Sequence, residues 1–331
     1  MLITAVVPCF NEEEALPLFY KEFKSVAKGM RGTYPDVAFE LLLVNDGSTD
    51  NTLSVMRGLA AETQGEDVVL KVRYISFSRN FGKEAGLYAG LSNASGDLVA
   101  TMDADMQDPP SLLPEMYERI TAGDCDQVAT RRKDRAGEPP IRSWFAHRFY
   151  HLINRMSQAD IVDGARDFRL MKRPVVDAIV SMGEYNRFSK GIFGWVGFKT
   201  EWISYENVER VAGSTKWSFW SLFKYAIEGI VAFSTAPLQV ASFAGILFCL
   251  VAVVAFVFII VRALLFGDPV AGWPSLVSII LFIGGIQMLS LGIIGQYLAK
   301  TYLETKHRPI YLVAETNIKG LGVGRHEASR S

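Results

Sequence analysis

The chain has 331 residues, half of them hydrophobic, with 34 Lys+Arg against 35 Asp+Glu and a formal net charge of −1. At roughly 100–200 residues per domain this length allows about two domains, and the even charge balance argues against nucleic acid as a partner, which calls for a basic surface. Three widely separated cysteines, Cys9, Cys125 and Cys249, argue against a disulfide framework and have no metal-ligand spacing, as expected of a reduced, cytosol-facing protein.

The opening 1-MLITAVVPCFNEEE-14 lacks the basic start of a secretory signal and turns acidic at once. Residues 1–131 then alternate short apolar runs with helical patterns. The runs 2–8, 39–45, 70–77, 97–102 and 126–130 predict strands, and 13–28, 50–63, 83–94 and 111–122 predict the helices between them. This alternation predicts an α/β domain whose mostly parallel, Rossmann-like sheet carries helices on both faces. Ligands of such sheets bind beyond the carboxyl ends of the strands. The polar motifs fall there: 8-PCFNEEE-14, 45-NDGSTDNT-52, 78-SRNFGKE-84 and 103-DADMQD-108.

Two further segments read as amphipathic helices. In 141–158, Ile141, Phe145, Phe149, Leu152 and Met156 form an apolar stripe beside Arg148, His151 and Arg155; in the second, Trp217, Trp220, Phe223, Ile227 and Ile230 line up. Aromatic and basic residues on such helices suit a lipid headgroup layer, with packing against the catalytic domain as the plainer alternative. From Pro237 to Phe266 the only charged side chain is Arg262, and from Gly272 to Ala299 there is none. Each run exceeds the ~20 apolar residues that cross a bilayer, so two transmembrane helices are expected, about 238–262 and 274–299. Lys300, Lys306, Arg308, Lys319, Arg325 and Arg330 follow the second. By the positive-inside rule both termini are expected in the cytoplasm. The expected organisation is a cytoplasmic domain over 1–213, an interfacial helix over 214–235, a transmembrane hairpin over 236–300 and a cytoplasmic tail over 301–331.

The chemistry concentrates after the fourth predicted strand. Asp103 and Asp105 are one residue apart, so in an extended segment their side chains point the same way. Converging carboxylates repel unless a cation or proton lies between them. Oxygen-only ligands favour Mg²⁺ or Mn²⁺, which keep waters and bind substrate phosphates; Gln107 can add a carbonyl oxygen. Asp108 or Ser111 is expected to cap the helix that follows. A phosphate ligand calls for basic partners, and Arg79, Lys83, Arg131 and Arg132 follow strand ends. Asp46 and Glu12 are placed to accept hydrogen bonds from a nucleotide's base or ribose. There is no phosphate-binding G-x-x-x-x-G-K-[ST] loop, no Ser-His-Asp set and no H-E-x-x-H.

The ordered motifs P-x-x-N-E-E, V-N-D-G-S-x-D, S-R-N-F-G-K-E, D-A-D-x-Q-D-P-P, D-F-R-L-M and G-x-T-K-W resemble the family 2 glycosyltransferases that load sugars onto polyprenyl phosphate. The dolichyl-phosphate mannose synthases are one branch. The closer resemblance is to bacterial bactoprenol glucosyltransferases of the O-antigen-modifying type, and it spans about Leu2 to Val313. It implies a GT-A fold, a divalent metal, a nucleotide-sugar donor and inversion at the anomeric carbon. It implies a metal and diphosphate site at Asp103, Asp105 and Gln107, and donor contacts at Pro8, Glu12, Asp46 and Lys83. Asp167 takes the place of the key acceptor-side carboxylate, and Arg131, Arg169 and Lys216 that of groups holding the lipid phosphate or leaving diphosphate. One departure is 164-GARD-167, where the family approach to the Asp is richer in Thr and Gly. Asp167 is expected to position, by orienting Arg169 or holding a sugar hydroxyl, because a phosphate nucleophile has little need of a base. The implied partners are a nucleotide sugar, polyprenyl phosphate and the bilayer of a bacterial inner membrane; the sequence is also compatible with a homo-oligomer. Transfer of mannose or an aminoarabinose is the alternative within the class, and a non-catalytic membrane scaffold the alternative outside it. A processive polysaccharide synthase would carry Q-x-x-R-W, which is absent.

Overall fold

The computed structural model describes residues 1–63, 69–132, 162, 164–205, 236–266 and 272–322. The two expected interfacial helices, the turn between the apolar helices and the end of the tail lie outside these residues.

The first half follows the predicted alternation. Strand β1 (Leu2–Cys9) leads to helix α1 (Ala15–Thr33), β2 (Ala38–Asn45) to α2 (Thr52–Glu62), and β3 (Leu70–Phe77) to α3 (Lys83–Asn93). Then come β4 (Leu98–Thr101), a short turn of 3₁₀ helix (Pro110–Leu112), α4 (Leu113–Ala122) and β5 (Gln127–Arg132). β1 and β2 are nearly continuous apolar runs because both faces of the sheet are covered. One core lies against α1, α2 and α4 and gathers Phe19, Phe23, Met56, Met116 and Ile120; the other lies against α3 and gathers Val6, Leu42, Val44 and Ile75.

Three strands escaped the pattern reading: β6 (Ala165–Lys172), β7 (Thr200–Tyr205) and β8 (Val313–Thr316). The sheet order is β7-β5-β6-β4-β1-β2-β3-β8. The pairings β1–β2, β1–β4, β2–β3 and β5–β7 are parallel, while β4–β6, β5–β6 and β3–β8 are antiparallel. The sheet is therefore mixed: β6 inserts antiparallel between β4 and β5 and brings its start, with Asp167, to the edge where β4 ends. Helices α5 (Arg173–Ser181) and α6 (Ser189–Trp195) follow β6 and complete the second core through Val175, Val176, Ile192 and Phe193.

Helix α3 lies unusually close to the sheet. A Cβ on Gly90 would stand 2.1 Å from Val6 Cγ1, and one on Gly86 3.1 Å from Pro8 Cβ. Glycine at these two positions lets the helix approach, and so sets where its first residue, Lys83, emerges.

Two long apolar helices follow, α7 (Ala236–Phe266) and α8 (Trp273–Thr305). Among the described residues one stretch, Phe282–Thr305, is long and apolar enough to cross a membrane by length and composition. After α8 the chain returns to the α/β domain. β8 closes the β3 edge of the sheet, Tyr311 stacks on Phe77 at 5.0 Å, and Glu315 accepts from Arg57 Nε at 2.8 Å and from the Tyr74 hydroxyl at 2.7 Å. Part of the expected tail thus belongs to the sheet.

Candidate active site

At the carboxyl ends of β1 and β2 the conspicuous polar residues stitch two loops together. Asn11 Oδ1 accepts the Thr49 N–H at 2.9 Å, Ser48 Oγ accepts the Asn11 N–H at 3.0 Å, Glu13 Oε2 accepts the Asn51 N–H at 2.9 Å, and Thr52 Oγ1 accepts the Glu12 N–H at 2.8 Å. The loop after β2 also meets the loop after β3. Gly47, at φ +65°, lies so close to Arg79 that a Cβ would stand 2.3 Å from its carbonyl carbon. Asp46 is buried, and its carboxylate accepts the N–H groups of Phe81 at 2.6 Å and Gly82 at 3.0 Å. Desolvation raises its pKa, against these hydrogen bonds and nearby Arg79. Asp46 therefore holds the loop that delivers α3. Arg79 lays its guanidinium over the Phe81 ring at 4.0 Å.

The centre of the site is Lys83. Its Nζ lies 2.7 Å from Asp103 Oδ1 and 2.6 Å from Asp167 Oδ2. One acid comes from the end of β4 and the other from the start of β6, so the antiparallel insertion of β6 creates the pair. Thr101 Oγ1 donates to the Asp167 carbonyl oxygen and ties the two strand ends together. Burial alone would raise the Asp167 pKa, but Lys83, then Lys190 and Arg166, outweigh it and hold the carboxyl well below the ordinary carboxylate range. Burial likewise works against the Lys83 charge, yet Asp103 and Asp167 push its pKa above the usual lysine value.

The loop after Asp103 turns sharply, with Met106 at φ 61°. Asp105 Oδ1 accepts the Gln107 N–H at 3.1 Å. Gln107 Oε1 accepts from Arg166 Nη2 at 3.2 Å, and Asp108 Oδ1 accepts from Arg166 Nε at 2.9 Å and from the Tyr205 hydroxyl. Neither Asp108 nor Ser111 caps the following helix: the 3₁₀ turn has no side-chain cap, and Asp108 is fully buried under the loop. Its pKa is raised by desolvation, opposed by Arg166. The expected cap gave way because a half-buried arginine offers a carboxylate more than an exposed N–H does. Arg166, Tyr205, Lys190 and the buried Asp108 are site-shaping residues that sequence reasoning missed. The one available signal was Arg166 itself, the charged residue that departs from the family approach to Asp167.

The remaining expected residues divide. Pro8 is the penultimate residue of β1 and lies beneath α3. Arg131 is exposed at the end of β5, its Nε donating to Ser204 at 2.9 Å, and Arg132 ends the same strand. Lys216 lies outside the described residues. Arg169 does not stand in the crevice. It is 4% exposed, donates to Gln127 Oε1 at 3.2 Å and lies 3.9 Å over the Phe193 ring. Desolvation lowers its pKa to about 10. Two residues deeper in β6 than Asp167, it is covered by α6, and Asp167 pairs with Lys83 instead of orienting it.

A divalent cation fits the donor set. Asp103 and Asp105 carry hard oxygen donors, and Asp103 already has a counter-cation in Lys83. Among the described residues no group of three or more His, Cys, Asp or Glu side chains is gathered for a metal; Mg²⁺ and Mn²⁺ commonly need only one or two carboxylates beside water and phosphate oxygens.

The chain matches known references, among them one family model, two relatives and one solved structure. Residues 4–180 match the family model described as glycosyl transferase family 2. The chain is 42% identical over 313 residues to a prophage bactoprenol glucosyl transferase homolog of Escherichia coli K12, covering 95% of this chain and 98% of that one. It is 41% identical over 313 residues to the bactoprenol glucosyl transferase of Shigella phage SfV, with the same coverage of 95% and 98%. Among solved structures, glucosyl-3-phosphoglycerate synthase from Mycobacterium tuberculosis, in complex with Mn²⁺, UDP and phosphoglyceric acid, is 16% identical with a TM-score of 0.45, over 70% of this chain and 76% of that one.

The Lys83 cluster has a pH signature. A depressed carboxyl contributes stability that is present above its unfolded pKa, about 3.9, and lost as pH falls through the folded value. A raised lysine contributes stability present below about 10.4 and lost as pH rises through its folded value. Both contributions are present at neutrality. Lys83→Met removes the shared cation, so the gap in thermal midpoint between wild type and variant, measured in chelator, should be full from about pH 5 to 7 and narrow as pH falls below about 4. A gap that does not change with pH would show that the ion pairs are not its source.

Proposed function

The chain belongs to glycosyl transferase family 2, and on that premise we propose that it transfers a hexose, glucose from UDP-glucose, to undecaprenyl phosphate with inversion, making a lipid-linked sugar for cell-surface glycan modification. The observation that carries this reading is the convergence of Asp103 and Asp167 on one ammonium, which joins the motif of the donor side to that of the acceptor side. Similarity to the bactoprenol glucosyl transferases over 95% of the chain, apolar helices included, supports it.

A phosphate oxygen of the lipid attacks the anomeric carbon as the bond from that carbon to the diphosphate breaks, and UDP carries away the electron pair. Asp103, Asp105 and Gln107 would hold the divalent cation, which supplies Lewis-acid stabilisation of the departing diphosphate. Lys83 would bind the same phosphates, and the exposed Arg131 would add a second cation for the lipid phosphate. Glu12, Asp46 and Arg79 frame the nucleoside side, Asp46 by fixing the 79–82 loop. A phosphomonoester has a second pKa of about 6, so the nucleophile is mostly dianionic near neutrality. Asp167, with Lys83 at 2.6 Å, is a weak base and acts by positioning Lys83 and the sugar.

We infer that α7 and α8 cross the membrane as a hairpin. Return of the chain after α8 to the sheet that begins at β1 supports an even number of crossings, with the catalytic domain and the tail both cytoplasmic. A cysteine introduced by Ala271→Cys should react with an impermeant thiol reagent in spheroplasts. Labelling of the tail instead would reverse the topology.

The site itself is tested by Asp105→Asn, which keeps the shape of the side chain and removes its charge. Transfer to undecaprenyl phosphate should fall by about 10²-fold, the scale of losing one electrostatic group of a transition state. Undiminished transfer, or full activity of the wild type in excess chelator, would remove these acids from the mechanism.

A further inference from the structure

Helix α8 ends in a carboxylate with no part in the chemistry described above. Glu304 stands in its last turn, just beyond the uncharged run that closes at Ala299. Its Oε1 accepts the backbone N–H of Tyr185 at 2.9 Å and of Asn186 at 3.1 Å, with Asn186 Nδ2 at 3.5 Å. These residues lie in the connection between α5 and α6. A carboxylate that receives successive backbone N–H groups fixes the path of the chain, and hydrogen bonds to a charged group are the stronger ones.

The same connection is tied at its other end to the crevice. Glu84 Oε2 accepts the Ser189 N–H at 2.9 Å and the Ser189 hydroxyl. Glu84 is the neighbour of Lys83 at the start of α3, and Lys190, next to Ser189, helps to lower the Asp167 pKa. Between the two ties, buried Arg187 donates to the carbonyls of Ile179 and Met182 and lies 4.5 Å over the Tyr88 ring. Hydrogen bonds and packing thus lead from the end of the apolar helix through residues 185–189 to Glu84, the chain neighbour of Lys83. The donor-side residues Glu12, Asp46 and Arg79 lie on the loops after β1, β2 and β3 and make none of these contacts with the 183–189 segment.

We propose that Glu304 is a positioning residue for the lipid acceptor: it clamps the 183–188 connection to the end of α8, and so sets Lys190, which follows that connection, at the height where a polyprenyl phosphate presents its headgroup. The inference rests on the reading that the crevice takes a lipid phosphate, and it assigns the register between membrane and crevice to one side chain.

The test uses the full-length protein with UDP-glucose and undecaprenyl phosphate. Glu304→Ala should raise KM for undecaprenyl phosphate by about tenfold, the scale of losing hydrogen bonds to a charged group, with KM for UDP-glucose within about twofold and calorimetric binding of UDP with Mn²⁺ unchanged. Glu304→Gln keeps an accepting oxygen and should recover most of the loss. If the alanine variant fails to accumulate, Glu304→Asp, which keeps the charge and shortens the reach, should show the same split in smaller measure. A lipid KM that stays unchanged, a matching loss of donor binding, or glutamine no better than alanine would each overturn the proposal. A wild type that transfers no sugar to the lipid would instead fail the underlying reading.

Discussion

Two carboxylates from different strands, Asp103 and Asp167, share the ammonium of Lys83 at 2.7 and 2.6 Å. Without a cation between them they would repel, and the desolvation of Asp167 would favour its neutral form. The Lys83 ammonium therefore holds the ends of β4 and β6 in one site and keeps the desolvated Asp167 ionised at neutral pH. Much of the domain is arranged to deliver it. Gly86 and Gly90 let α3 lie close to β1, Asp46 fixes the turn before that helix, and Gly47 lets the two preceding loops meet. The antiparallel entry of β6 beside β4 brings in the second acid.

A second layer supports the first. Asp108 lies under the 103–107 loop with Arg166 and Tyr205, and Arg166 also holds the Gln107 side chain. A buried carboxylate is costly unless paired and hydrogen-bonded, so this cluster has few arrangements open to it, and the loop above inherits its rigidity. Arg169, sandwiched against Phe193 and bonded to Gln127, anchors β6 from below. Its charge serves the packing of α6 and not the crevice.

The first four strand–helix units were legible because each strand is a compact apolar run and each helix a periodic one. Strands β6, β7 and β8 were not. β6 reads A-R-D-F-R-L-M-K, with charges that mask the alternation and that belong to the site. β8 is four residues long and is held by Arg57, Tyr74 and Asn317, contacts more than two hundred residues apart in sequence. Among site residues, Asp103, Asp167 and Lys83 could be read from their motifs. The sharing of one lysine by both acids could not, since it depends on strand order. Asp108 looked like a helix cap because Asp before Pro-Pro commonly is one; a tertiary partner, Arg166, overrode that local preference.

The crevice around Lys83 stands in one chain with two long apolar helices, and the central proposal is a transfer between a nucleotide sugar and a lipid phosphate. The most direct measurement incubates purified full-length protein and undecaprenyl phosphate with UDP-glucose, GDP-mannose and a UDP-linked aminoarabinose in turn, and identifies the lipid products by mass. The account predicts a hexosyl phosphoprenol from UDP-glucose, with one UDP released for each. Binding of UDP with no lipid product from any donor would contradict it, leaving a nucleotide-binding membrane scaffold in place of an enzyme.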